Sequence, residues 1–200
     1  MFSMRLATLL FLALMSVVTV YAQRPGPQFR RPLACEPVEP RTKLEAIEGG
    51  YESVLLKGFS RIASIRVRGT EIRIDAVELK DNTSPTRAMG IAIVMREADQ
   101  ERTNENRAFV DYEEIDSLLR AIDFSAKVNE TVTKLAGFEA RYRTRGDLEL
   151  VVFRQGRASG TAASVTTGIC DRVTGLLTLD ELALLRAHIV EAKTRLDEIK

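Results

Sequence analysis

Few side chains in this sequence carry the chemistry of common catalysts. There is one histidine, His188, and there are two cysteines, Cys35 and Cys170. A zinc site draws several His or Cys ligands from close spacings, so His188 reads as a partly exposed residue of the last helix. A Ser, Thr or Cys nucleophile needs a base beside it. No G-x-S-x-G turn occurs, and Ser159, Gly160 and Ser164 in "SGTAASVTT" read as small residues of a loop and strand.

Carboxylates are denser. Asp111, Glu113, Glu114 and Asp116 cluster in "DYEEID". Paired carboxylates can serve acid–base or glycosidic chemistry. A helix start explains the same cluster, because negative groups there oppose the positive end of the helix dipole. "RQGRASGT", Arg154 to Thr161, could cradle an anion with its amides, but Gly and Ser are ordinary hairpin residues. "RYRTR", Arg141 to Arg145, is the one stretch that mixes basic and aromatic residues as a nucleic-acid surface does. Tyr142 alternates opposite to its arginines, so it is expected to face the core. No Walker or dinucleotide pattern is present. The residues therefore assign no catalytic, cofactor-binding or metal position, and no cofactor. Asn82-Thr83-Ser84 and Asn129-Glu130-Thr131 are glycosylation sequons, which matter only in a host that uses them.

The ends of the chain say where it goes. Arg5, the apolar run "LATLLFLALMSVVTV" and the small residues Val20 and Ala22 form a secretory signal peptide, residues 1–22, with Gln23 as the first mature residue. The run is short for a membrane span, and no later stretch is apolar enough to be one. The full chain has 29 Lys plus Arg and 28 Asp plus Glu. Removing Arg5 leaves 28 of each, a net charge of 0, which argues against bulk nucleic acid or an anionic membrane as partner. Residues 23–41 hold five of the six prolines and read as an extended leader. Export implies oxidising surroundings, so Cys35 and Cys170 are expected to form a disulfide.

These features are positioned by residues 42–200, long enough for one domain with a real core. "TEIRIDAVELK" alternates from Ile72 and Ile74 to Val77 and Leu79, a phase slip that predicts a bulge. "RAMGIAIVMRE" is apolar on both faces. Met89, Ile91, Ile93 and Met95 line one face. Ala88, Gly90, Ala92 and Val94 line a small-residue face that suits a helix lying across it. "DNTSP" is a turn and "ADQERTNENR" a hairpin loop. Asp111 with Glu114, and Thr178 with Glu181, have capping-box spacing and open helices. Ile115, Leu118, Leu119, Ile122 and Ala126 form the apolar stripe of the first, and Leu182, Leu185, Ile189, Leu196 and Ile199 that of the second. "GFEARYRT", "DLELVVF", "SGTAASVTTGIC" and "VTGLL" are strands.

"TKLEAIEGGY" (Thr42–Tyr51) echoes "TKLAGFEARY" (Thr133–Tyr142), with Ile47 matched to Phe138 and Lys43 to Lys134. Together with the paired helix starts, the echo predicts a duplication: an α+β domain of two units, residues 42–130 and 131–200, each about four antiparallel strands followed by one helix. On the strand-to-helix junctions "FVDYEEIDSLL" and "LLTLDELALL", this plan resembles the Whirly-like single-stranded-DNA-binding proteins. That resemblance implies nucleic-acid binding on a sheet, with a lysine–glycine strand matched only by Lys57-Gly58. The chain is also similar to small exported bacterial proteins of unassigned function. The residues themselves point to a secreted or periplasmic, non-catalytic binding or structural protein. Its partner would be another protein or a small molecule, and self-association is left open. A motif-free hydrolase is the remaining alternative.

Overall fold

The computed structural model describes residues 39–98, 103–129, 131–154 and 160–200. They belong to a compact unit running from Pro37 to Lys200. The signal peptide and Cys35 lie outside the described residues, as do Gln155–Ser159 of the "RQGRASGT" segment and Glu130 of the second sequon.

A short helix, α1 (Lys43–Glu48), comes first. Strands β1 (Leu55–Val67), β2 (Thr70–Asp81), β3 (Arg87–Ala98) and β4 (Thr103–Asp111) follow, then a 3₁₀ turn (Tyr112–Glu114) and helix α2 (Ile115–Ala126). The second unit is β5 (Phe138–Arg143), β6 (Leu148–Arg154), β7 (Ala162–Thr167), β8 (Val173–Leu177) and helix α3 (Leu179–Asp197). Each unit forms its own antiparallel sheet, in the order β1-β2-β3-β4 and β5-β6-β7-β8. The expected α+β architecture of two four-strand-and-helix units is therefore present.

The inner faces of both sheets and the apolar stripes of both long helices share one core. Ile74, Ile91 and Ile93 meet Leu150, Val152 and Val165, with Leu118 and Ile122 of α2 and Leu185 and Ile189 of α3. Helix α2 packs on β5 and β6, while α3 lies chiefly on β1, β2 and β3. Each unit's helix thus covers mainly the other unit's sheet, so neither half buries its apolar face alone. The helices run antiparallel. Lys193 donates to Asp116 at 2.7 Å and Arg186 clamps Asp123 at 2.6 and 2.8 Å. Buried Ser125 and Ala192 replace Ala126 and Ile199 on the two stripes, and both of those residues are exposed.

Helix α1 confirms the reading of β3. It crosses the small-residue face, where Leu44 packs with Val77, Leu79, Ala88, Ala92 and Phe109. Gly90 makes this approach feasible: a Cβ there would stand 2.2 Å from Val110 O and 2.8 Å from Leu44 Cδ1.

Four expectations need correction. The echoed segments do not fold alike. Thr42–Tyr51 contains α1, with a capping box of Thr42 and Glu45, whereas Thr133–Tyr142 is irregular chain entering β5. Ile47 and Phe138 accordingly pack in different clusters. Second, β2 has no bulge. Its register with β3 is continuous, and the apparent slip arises because one end buries Ile72, Ile74 and Ala76 in the main core while the other buries Val77 and Leu79 under α1. The irregularity is in β1, between Arg61 and Ala63. Third, β4 begins at Thr103, within the supposed hairpin loop. Fourth, Asp111 and Glu114 do not cap their own helix. The second box, Thr178 with Glu181, is formed as expected.

Candidate functional site

The dense carboxylate cluster is dispersed by the fold. Asp111 is buried and caps α1, accepting from the amides of Lys43 at 2.8 Å and Leu44 at 3.2 Å. Glu113 pairs with the Lys43 ammonium, which holds its carboxyl below the usual range. Glu114 accepts from the Arg145 amide at 3.0 Å, and Asp116 is bound to Lys193. Asp111 and Glu113 are thus both directed to α1 at Lys43, Glu114 to the turn before β6 and Asp116 to α3, each acid already held by its own donor.

Other sequence candidates also find structural partners. His188 Nδ1 lies 3.3 Å from Glu191 Oε2, one turn along α3. In "RYRTR", Arg141 pairs with Glu139 and Glu149, Arg143 pairs with Asp147, and Tyr142 turns inward. Ser164 stands in β7 opposite Val151 and Leu176. Asn82 is exposed beside an Asp81-anchored turn, and Asn129 Oδ1 accepts from the Thr131 amide and hydroxyl. Cys170 lies between β7 and β8. Among the described residues no group of His, Cys, Asp or Glu is placed to hold a metal ion, and no helix is long and apolar enough to cross a membrane.

The arrangement with the most chemistry lies on the outer face of the first sheet, from the edge of α1 to the β1–β2 turn. Cross-strand pairing lines up its side chains in rows. The row nearest the β1–β2 turn is Arg66, Glu71, Arg96 and Glu105. The next is Ser64, Arg73, Val94 and Arg107, and the third is Arg61, Asp75, Ala92 and Phe109. Five guanidiniums therefore share the surface with three carboxylates. Asp75 is buried at its floor, with Arg73 Nε at 2.9 Å and Arg61 Nε at 3.6 Å. Arg107 stacks on the Phe109 ring at 4.3 Å and also pairs with Glu48.

At the end of this face is a cleft of about 260 Å³ lined by Arg66, Gly69, Thr70, Glu71 and Arg96. The strands close there through Arg68 and Gly69, whose φ angles of 43° and 87° suit the two-residue loop of a tight hairpin. Glu71 is held down by the Ser64 hydroxyl. That bond, helped by Arg66, Arg96 and Arg73, keeps its carboxyl below the ordinary range. Among the described residues, Arg66 and Arg96 have no salt bridge of their own. Among the described residues, two guanidiniums thus flank a cleft whose one lining carboxylate is already hydrogen-bonded, an arrangement able to grip an anion from two sides.

The signal for this site was present in "RIASIRVRGTEIRI", where arginines punctuate apolar residues. Strict alternation sends Arg61 and Arg66 to opposite faces; the irregularity at Ile62 brings them to the same one.

Comparison with protein-family models, with curated proteins and with solved structures finds no match to this chain.

Proposed function

We propose that this is an exported, non-catalytic binding protein that takes an anionic ligand in the cleft at the β1–β2 end of the first sheet. The carrying observation is the pair Arg66 and Arg96, two cations facing one cleft without salt-bridge partners among the described residues. Arginine suits phosphate, sulfate or carboxylate because its planar fork donates two parallel hydrogen bonds. The dispersal of Asp111, Glu113, Glu114 and Asp116 gives no support to the hydrolase alternative.

Amide NMR of the mature protein at low ionic strength tests the reading, with inorganic sulfate, a sulfated oligosaccharide and oligo(dT) as probes. Binding should move the amides of Arg66 to Glu71. Replacing Arg66 and Arg96 by Ala should weaken it by at least about tenfold, the loss expected of charge-assisted hydrogen bonds. The proposal fails if none of the three probes binds. Oligo(dT) binding far more tightly than the sulfated oligosaccharide, with a steep salt dependence, would favour the Whirly-like nucleic-acid alternative.

Export itself rests on the sequence of residues 1–22. N-terminal sequencing of the exported protein should begin at Gln23. The proposed Cys35–Cys170 bridge should appear as one linked peptide pair in a non-reducing digest.

A further inference from the structure

Among the described residues, four strands lie at sheet edges: β1, β4, β5 and β8. Proteins blunt such edges with charge, bulges or cover. Strand β5 carries Glu139, Arg141 and Arg143, and β4 opens with Thr103, Asn104, Glu105 and Asn106. Short β8 packs against the first sheet. The first half of β1 also carries charge, Lys57 and Arg61, and ends in an irregularity, but it exposes large apolar side chains as well. Leu56 is 51 % exposed on the inner face and Phe59 66 % exposed on the outer face, with Val54 60 % exposed just before them. The regular part of this strand is Leu55–Arg61, ended by the irregularity at Ile62.

We propose that a second copy of the chain occupies this edge, the two β1 strands pairing antiparallel across a twofold axis at Gly58. The register follows from the strand. Leu55–Arg61 pairs with itself over its full length only when centred on its middle residue, Gly58. Lys57 then faces Phe59 of the other copy, Arg61 faces Leu55, and Leu56 faces Ser60. A shift to centre on Phe59 would oppose Lys57 to Arg61, and a shift to centre on Lys57 would oppose two lysines. Both are repulsive pairings.

The inner face supplies a matching cavity. Gly58, Ser60, Ala76, Leu196 and Ile199, with the charged Glu78 and Arg195, line a cleft of about 150 Å³ between β1 and the end of α3. Leu56 of the second copy, standing opposite Ser60, projects beside it. The pairing joins two four-strand sheets into one of eight strands and covers the exposed apolar side chains. It is independent of the anion cleft, which lies at the other end of β1.

Analytical ultracentrifugation of the mature chain should give twice the monomer mass. Leu56→Asp, at a position already exposed in the single chain, should raise the dissociation constant at least tenfold while leaving the melting temperature of the monomer unchanged. Register is tested by cysteine cross-linking. A Cβ at Gly58 would meet nothing nearer than Glu78 at 3.8 Å, so Gly58→Cys is sterically admissible. Opposite residues of paired strands are close enough for a disulfide. Oxidised Gly58→Cys should therefore run as a covalent dimer. Ser60→Cys should not, because its counterpart lies four residues further along, about 14 Å away at strand spacing. A monomer at millimolar concentration, a dimer indifferent to Leu56→Asp, or equal cross-linking at both positions would overturn the proposal.

Discussion

Each sheet places a carboxylate on the outer face of its second strand and brackets it with two arginines. In the first, Asp75 of β2 lies between Arg61 and Arg73. In the second, Glu149 of β6 lies between Arg141 at 3.4 Å and Arg172 at 2.7 Å. Both acids are buried, and all four arginines keep a substantial part of their side chains in solvent. The sheets differ in what surrounds this shared feature. The first carries α1 over one end of its outer face and rows of arginine over the other. Among the described residues no helix packs on the outer face of the second, whose middle rows hold Val151, Phe153, Ala162, Ser164 and Leu176. The duplicated plan thus fixes the core and the bracketed acid, while the outer faces are free to diverge because the shared core makes no demand on them.

The largest test of that difference is Gly90→Val. It should cost about 3 kcal/mol in urea unfolding, at the upper end for overpacking, because Val110 and Leu44 already occupy the space. Ser164→Val, in the corresponding strand of the second sheet, should cost less than about 0.5 kcal/mol. Equal losses would break the contrast between covered and bare faces.

Asp111→Ala comes next, at about 2 kcal/mol, the upper end for a helix cap. It removes the acceptor of two amides of α1, one of them buried. Thr178→Ala at the start of α3 should cost about 1 kcal/mol, since its hydroxyl caps one amide, that of Glu181, while donating to the Glu181 carboxylate.

Asp75→Ala and Glu149→Ala should each cost about 1 kcal/mol, the modest value of ion pairs whose cations remain hydrated. Near-equal losses in chemical denaturation would sharpen the equivalence of the two brackets. Only Asp75→Ala should also tighten sulfate binding, because it frees guanidiniums near the proposed cleft.

The smallest effect concerns the joint between the units. The bond from Lys193 keeps the Asp116 carboxyl below its ordinary range, and the bond from Arg186 does the same for Asp123. Depressed carboxylates contribute fully above their unfolded pKa, about 4, and that contribution is lost as pH falls through the lower folded values. Acid unfolding of the Asp116→Asn, Asp123→Asn double variant should therefore show a shallower fall in stability below about pH 4 than the parent chain.

Much of this organisation could be read from residue types. Periodicity identified both faces of β3, and the T-x-x-E pattern at Thr178 marked the start of α3. The same pattern at Thr42 and Glu45 marks α1, yet it is hidden within an echo that invites comparison with a strand. The D-x-x-E pattern at Asp111 misleads for a different reason: the Asp111 side chain is claimed by amides of α1, 68 residues earlier in the chain. Local spacing can show that a cap is available, but it cannot show which helix will use it.

By itself, the sequence determined the alternation of strands and helices, the two-unit plan and the scarcity of catalytic side chains. These depend on local propensity and on periods of a few residues. Only the tertiary structure decided that each unit's helix covers the other's sheet, that the four clustered acids are divided among α1, the turn before β6 and α3, and that five arginines gather on one face. The first two depend on how distant elements pack, and the third on the irregularity at Ile62, where one unpaired residue reverses the facing of every side chain beyond it.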